Sequence, residues 1–226
     1  MVIAFDLDGT LIDSSRDLAE AASELVQGHG APPLDVDAVV TMVGDGAPML
    51  VRRALERSGL APDTPGALQR FLEIYDRRLM DHTVAYEGMH EVLSMLAHVG
   101  PLAVLTNKPL APSLAILEAL GLRGFFSAVL GGDGPHARKP HPDGLLALAR
   151  IGGGVGGGNP SGLPAVLIGD SPADEQTAAA AGCPFVFARY GFGAGKFGDT
   201  PPRTPHVANH PRDIVGLVLR IRDEQL

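Results

Sequence analysis

The first residues of the chain constrain its fold more than any other stretch: Val2-Ile3-Ala4-Phe5-Asp6-Leu7-Asp8-Gly9-Thr10-Leu11. A short apolar run ends in two carboxylates one residue apart, and a Gly-Thr turn follows. Continuous apolar character is the mark of a strand buried on both faces of a parallel sheet. Open α/β sheets take their ligands at the carboxyl edge, so Asp6 and Asp8 are predicted to leave the sheet at a binding edge. Two carboxylates this close repel unless a cation lies between them or they share a proton. An ordinary Asp-Gly turn capping a strand satisfies the same residues. The rest of the chain decides between the two.

After Ser14 the pattern turns helical. Leu18, Ala21, Ala22 and Leu25 recur at helical spacing and Gly28 and Gly30 end the run. Val39, Val40 and Met42 lead into the turn Val43-Gly44-Asp45-Gly46-Ala47-Pro48, where Pro48 suits the first turn of a second helix carrying Leu50, Val51, Ala54 and Leu55. A third helix carries Leu68, Phe71, Leu72, Tyr75 and Leu79 on one face. No convincing strand falls between Ser15 and His82, so residues 15–82 are predicted to be a compact helical insert. From Tyr86 onward strands and helices alternate. Strands are expected at 102–105, 126–130, 165–168 and 185–187, with helices at Met89–Leu96, around Leu114 to Leu120, at 142–151, at 172–181 and around Ile214 to Ile221. Such alternation implies a doubly wound α/β fold, a parallel sheet with helices on both faces. The core is then 1–14 plus 83–226.

Composition excludes several classes of function. The 226-residue chain holds 18 Lys and Arg against 26 Asp and Glu, a net charge of −8. A broad nucleic-acid or anionic-membrane surface would need basic patches, and neither partner is expected. No apolar stretch approaches the ~20 residues of a membrane span, and the first apolar run meets Asp6 too early for a signal peptide. Cys183 is the single cysteine; it rules out an intrachain disulfide, suits a reducing cytoplasm and is expected to pack in the core. A cytoplasmic protein is predicted. Glycine (29) and proline (19) make up about a fifth of the chain, below the ~25–30% that signals disorder.

Four predicted strand ends present polar residues at the same edge. Asp6 and Asp8 follow the first, Thr106-Asn107-Lys108 the second, and Lys139-Pro140 lies in the loop after the third. Gly169-Asp170-Ser171-Pro172-Ala173-Asp174 ends the fourth. Carboxylates, a hydroxyl, an amide and an ammonium would converge there. They are the equipment for a phosphate and a magnesium ion: oxygen ligands for a hard cation and cationic or N–H donors for phosphoryl oxygens.

Taken in order, Asp6-x-Asp8-Gly9-Thr10, the apolar run into Thr106-Asn107, Lys139-Pro140 and Gly169-Asp170-x3-Asp174 resemble the signature of the haloacid dehalogenase-like (HAD) hydrolase superfamily. The helical insert resembles the α-helical cap of one branch. Within that branch Val43-Gly44-Asp45-Gly46-Ala47, Thr106-Asn107-Lys108-Pro109, Gly131-Gly132-Asp133, Lys139-Pro140-His141-Pro142 and Ala181-Gly182-Cys183-Pro184 look most like phosphoglycolate phosphatases. The resemblance implies a Rossmann-like core with a small cap inserted after the first strand. It implies a Mg²⁺-dependent phosphomonoesterase acting on a small phosphorylated metabolite through an aspartyl-phosphate, as a monomer or homodimer. Asp6 would be the nucleophile and Asp8 the general acid and base. Asp6, the Asp8 carbonyl, Asp170 and Asp174 would hold Mg²⁺. Thr106 and the Asn107 N–H would bind phosphoryl oxygens, Gly9 and Thr10 would belong to the phosphate site, and Lys139 would neutralise developing charge. The cap turn Gly44-Asp45-Gly46 would bring main-chain N–H groups to a small carboxylate on the substrate, where Asp45 would repel an anion unless it points away.

Blander assignments compete at several points. Ser171-Pro172-Ala173-Asp174 is also a helix-capping pattern, and the Gly44-Asp45-Gly46 segment an ordinary interhelix turn. His136 and His141, beside prolines, suit loops better than a metal site, whereas Arg189 and Tyr190 are candidates for the rim of the site. Gly152-x-Gly154-x-x-Gly157 formally matches a dinucleotide fingerprint but follows a helix instead of a strand. Gly195-Lys196 fails as a P-loop, because Tyr190 replaces the earlier glycine and Phe197 the Ser/Thr. Among other functions, a phosphomutase similar to β-phosphoglucomutase would use the same residues, as would a non-catalytic binder of a phosphorylated metabolite. A 2-haloacid dehalogenase would have no use for Asp8 or Mg²⁺.

Overall fold

The computed structural model describes residues 1–151 and 165–224, so the expected glycine-rich loop 152–162 lies outside the described residues. The first elements in chain order are β1 (Val2–Phe5), β2 (Ile12–Asp13), α1 (Ser15–Gly28), α2 (Val36–Val40), α3 (Ala47–Arg57), α4 (Ala67–Arg78) and β3 (Val84–Ala85). Then come α5 (Met89–Leu96), β4 (Leu102–Leu105), α6 (Leu110–Ala119), β5 (Phe126–Leu130) and α7 (Asp143–Ile151). The last are β6 (Ala165–Gly169), α8 (Pro172–Ala180), β7 (Phe185–Ala188), β8 (Val207–Ala208) and α9 (Asp213–Glu224).

Six strands form one sheet in the order β5-β4-β1-β6-β7-β8, every neighbouring pair parallel. The apolar run of β1 fills the middle position because both of its faces are covered. Ile3 and Phe5 join one buried cluster with Met89, Ile116 and Ile214 of the helices. Val2 and Ala4 join another, on the opposite face, with Leu145 and Ala178. Alternate side chains of a strand point to opposite faces, which is why a two-faced burial needs an unbroken apolar run. Phe5 pairs with Val104 on one side and with Ile168 on the other. The residues after β1, β4 and β6 therefore emerge side by side, at the point where strand order reverses and such sheets bind ligands.

Helices α1 to α4 lie between β2 and β3, which pair antiparallel through Ile12–Ala85 and Asp13–Val84. Leu25, Leu55, Phe71 and Ile74 are fully buried among them and continuous with the cluster on one face of the sheet. The helical expectation for this segment holds, with two corrections. Val39 and Val40, read as a lead-in to the turn, belong to the five-residue helix α2, too short to show a period. Leu68, one of the apolar residues that mark α4, is 37% exposed and lies outside the core. The two-residue strands β2, β3 and β8 were equally below the reach of pattern. Cys183 is half-buried against one face of the sheet. Among the described residues no helix is long and apolar enough to cross a membrane.

Where the chain returns from the helical segment, it is tied to the start of that segment. Asp17, buried in the first turn of α1, accepts hydrogen bonds at Oδ2 from the N–H groups of His82 (3.0 Å) and Thr83 (2.8 Å) and from Thr83 Oγ1 (2.7 Å). Removing the carboxylate leaves two buried donors unmet, and each unmet donor costs about 1–3 kcal/mol. Asp17→Ala is therefore expected to lower the free energy of unfolding by about 2–4 kcal/mol, measured by urea denaturation. A loss below about 0.5 kcal/mol, the range of ordinary surface substitutions, would contradict this role.

Candidate active site

Asp6 continues β1 by one residue, its N–H bonded to the Ile168 carbonyl at 2.9 Å. Its carboxylate is used asymmetrically. Oδ1 accepts from the Leu7 N–H at 2.7 Å and from Lys139 Nζ at 2.7 Å, while Oδ2 takes no donor among the described residues. After Asp6 the backbone coils back through Gly9, at φ 88°, so that its N–H reaches the Ile12 carbonyl. Only glycine fits there: a Cβ would also lie 1.9 Å from Asp170 Oδ2.

Lys139 is carried into the site by Asn107. The Asn107 side-chain amide donates to the Lys139 carbonyl (3.0 Å) and accepts from the Lys139 N–H (2.9 Å). The loop before α7 is thereby clamped to the end of β4. The same amide group donates to the Gly44 carbonyl of the helical segment at 2.9 Å. Lys139 Nζ then lies between Asp6 and Asp174 Oδ1, 2.6 Å from the latter.

Asp174 divides its two oxygens between the cap of α8 and Lys139. Oδ2 accepts from Ser171 N–H (3.0 Å) and Ser171 Oγ (2.6 Å), which caps α8, and Oδ1 faces Lys139. Asp170, at the end of β6, receives the Gly193 N–H at 2.6 Å and the Thr10 hydroxyl at 3.4 Å. Ligand atoms from Asp6, Asp170 and Asp174, all buried, lie within 4.8 Å of one another.

One ammonium touches this group of three carboxylates. Burial pushes Asp6 up to about 7, the nearby Asp174 adding to it and Lys139 opposing it. Burial likewise holds Asp170 well above the usual carboxylate range, with Asp174 and Asp6 adding repulsion. Burial alone would lower Lys139, but Asp174 and Asp6 outweigh it and keep the ammonium charged. A divalent cation with oxygen ligands fits this donor set and removes the excess negative charge.

Asp8 points elsewhere. Its Oδ1 accepts from Ser14 Oγ at 2.5 Å, and Lys108 Nζ lies 2.9 and 3.2 Å from its two oxygens. Lys108 Nζ also donates to the Tyr75 hydroxyl of α4 at 2.7 Å and sits 4.5 Å from that ring's centre. Burial works against the Lys108 charge, but Asp8 and Tyr75 more than restore it; burial also raises the Tyr75 phenol to about 12.

A small cavity, about 50 Å³, lies between the sheet edge and the helices. Asp6, Asp8, Thr106, Asn107, Gly44 and Gly46 line it, together with Lys108, Tyr75 and an apolar wall that includes Leu18, Leu50 and Phe71. Of the sequence-derived candidates, Lys139, Asp170 and Asp174 lie behind Asp6, and Gly9 and Thr10 pack against Asp170; none of these five lines the cavity. Asp45 does not face it either. Its carboxylate pairs with Arg53 at 2.6 Å, which answers the concern about repulsion. Tyr190 donates to the Thr10 carbonyl at 2.8 Å and serves as a strut, while Arg189 bonds Asn209 away from the site.

Comparison with known proteins agrees with this geometry. The model of the family described as haloacid dehalogenase-like hydrolase matches residues 3–188. The chain belongs to that family. A phosphoglycolate phosphatase from Caulobacter vibrioides is 41% identical over 197 residues, covering 84% of this chain and 79% of the relative. One from Pectobacterium atrosepticum is 33% identical over 232 residues, covering 93% and 95%. A crystal structure described as a predicted phosphoglycolate phosphatase from Haemophilus somnus superposes with a TM-score of 0.83 at 28% identity, covering 96% of this chain and 97% of that one.

Sequence reasoning gave no role to Lys108, Tyr75, Ser14 or the Gly193 N–H. Lys108 stood inside a quoted motif, but nothing in a sequence marks a lysine as buried. Tyr75 fell in the apolar series of its helix, and its polar tip was the only signal.

For this HAD hydrolase the excess negative charge makes a measurable prediction. A carboxyl raised from 3.8 to about 7 stabilises the fold below pH 3.8, and that contribution is lost as pH rises to about 7. Asp6→Asn lacks the loss. In metal-free protein the stability difference between variant and wild type should move in the variant's favour between about pH 4 and 7, by on the order of 4 kcal/mol. Parallel pH–stability curves from chemical denaturation would contradict the charge imbalance.

Proposed function

We propose that the protein is a Mg²⁺-dependent phosphomonoesterase whose substrate is 2-phosphoglycolate or a comparably small phosphorylated acid. The observation that carries this is the unengaged Oδ2 of Asp6, in a residue that borders a small cavity and belongs to a buried three-carboxylate group. The phosphoglycolate phosphatases among its relatives, at 33% to 41% identity, support the substrate class. So does the cavity, whose roughly 50 Å³ is far below the ~300–1,000 Å³ of sites for larger ligands.

Asp6, Asp170 and Asp174, with the Asp8 carbonyl, would hold the metal. Bound there, Mg²⁺ supplies positive charge that offsets repulsion between an anionic nucleophile and an anionic ester. Asp6 Oδ2 attacks phosphorus, the bond from phosphorus to the leaving oxygen breaks, and that oxygen takes a proton from Asp8. Water then attacks the phosphorus of the aspartyl-phosphate and gives a proton back to Asp8, freeing the Asp6 carboxylate and inorganic phosphate. Ser14 and Lys108 orient Asp8 for both transfers.

Thr106 is set to receive the phosphoryl group. Its hydroxyl accepts the Lys108 N–H at 3.1 Å, so its own proton is left to donate into the cavity. The Asn107 main-chain N–H is a second phosphoryl donor in this scheme. Lys139, behind Asp6, opposes the rise that burial and the neighbouring carboxylates impose on it, and in this scheme takes up charge that develops on the phosphoryl oxygens. Residues 15–82 act as a cap, with the β2–β3 pair at its two crossings to the core. Closure over the edge of the sheet excludes water until Asp8 is in position.

Phosphate release from 2-phosphoglycolate and from a panel of small phosphomonoesters tests the proposal. Expected are Mg²⁺-dependent turnover, loss of turnover in EDTA, and a fall in kcat of about 10⁴-fold or more for Asp6→Asn. Activity retained by Asp6→Asn, or no turnover of any ester by folded, Mg²⁺-loaded protein, would overturn it.

A further inference from the structure

We infer that Lys108, backed by Tyr75, is the specificity residue that recognises a carboxylate on the substrate beyond its phosphoryl group. This rests on the phosphomonoesterase reading and deepens it. Among the described residues lining the cavity, Lys108 is the only one with a cationic side chain. Its side chain is 5% exposed, so water does little to screen its charge. The wall contributed by Leu18, Leu50 and Phe71 offers no donor at all. Among the lining side chains, a second anionic group in the cavity therefore has one cation to meet, shared with Asp8.

The lysine is also held in position before any ligand arrives. Its N–H donates to Thr106 Oγ1, which fixes the start of the side chain next to the phosphoryl-receiving hydroxyl. Its Nζ is anchored by Asp8 and by the Tyr75 oxygen. The Tyr75 hydroxyl accepts that bond, and its own proton goes to no acceptor among the described residues. An ammonium and an adjacent hydroxyl thus stand together in the cavity wall. The ammonium comes from the core and the hydroxyl from α4. A carboxylate bound there reinforces the existing Lys108–Tyr75 link between the core and α4; a substrate without a carboxylate does not. Asp45, paired with Arg53, adds no opposing charge to the cavity wall.

The test compares 2-phosphoglycolate with its carboxamide, which keeps the phosphoryl group and nearly the same shape but has no charge at the carboxyl end. Wild-type enzyme is expected to favour the acid in kcat/KM by about 10- to 100-fold, the worth of a charge-assisted hydrogen-bonded pair. Lys108→Met is expected to remove most of that ratio, whatever it does to both substrates in common through Asp8, and Lys108→Arg to keep a substantial part of it. If Lys108→Met yields no folded protein, Tyr75→Phe carries the comparison, with an expected several-fold fall in the ratio. Equal turnover of acid and amide by wild type, or a ratio unchanged by the variants, overturns the assignment and leaves the phosphatase reading intact. Turnover of neither substrate removes both.

Discussion

Around Asp6 the protein concentrates more negative charge than it neutralises, and the rest of the site is arranged about that imbalance. Three buried carboxylates from β1, β6 and the first turn of α8 meet one ammonium, that of Lys139. Such a group is unfavourable in a low-dielectric interior unless protons or a cation complete it. The sheet makes the convergence possible, because the matching registers of β1 with β4 and β6 bring their ends to one level. Gly9 allows Asp170 to come close enough, and Asn107 brings Lys139 within reach of two carboxylates. The fold stabilises the metal-free cluster poorly and is built to receive a positive ion there.

Two further contacts join the helical segment to this edge. The Asn107 amide reaches the Gly44 carbonyl, and a Cβ on Gly46, at φ 87°, would lie 3.2 Å from the Asn107 carbonyl oxygen. The interhelix turn thus lies directly against the end of β4. Lys108 makes the second contact through Tyr75. Asn107 and Lys108 are consecutive, so one short stretch after β4 positions Lys139 behind Asp6, the partner of Asp8 and the turn that covers the cavity. Small displacements of α4 or of the Gly44 turn will be felt at Asp8.

The framework was legible in the sequence because burial on two faces demands unbroken apolar runs. Val2–Phe5, Leu102–Leu105 and Ala165–Ile168 are such runs, and each lies within a buried strand, whereas the edge strand Phe126–Leu130 is interrupted by Ser127. The carboxylates and amides just beyond them had to lie at one edge once the strands were parallel. Less accessible was everything that depends on what two distant segments do to each other. A lysine gives no sign in sequence of whether it is solvated, as Lys108 is not. Tyr75 packs its ring with Phe71, which the helical period anticipates, but its hydroxyl finds Lys108 across a gap of 33 residues. Gly193 carries no motif of its own, yet its N–H holds Asp170. The Asp17 tie to Thr83 has the same character: the acid resembles an ordinary first-turn helix residue until the returning chain meets it.

Calorimetric titration of Mg²⁺ into metal-free protein, in buffers of different ionisation enthalpy, tests the central claim most directly. With Asp6 held at about 7 by burial and by its neighbours, one ion should bind per chain and displace roughly one proton or more at pH 6. Proton release should fade, and affinity rise, as the pH passes about 7. Binding without proton release at pH 6, or no binding at all, would contradict the view that an unneutralised carboxylate group organises this site.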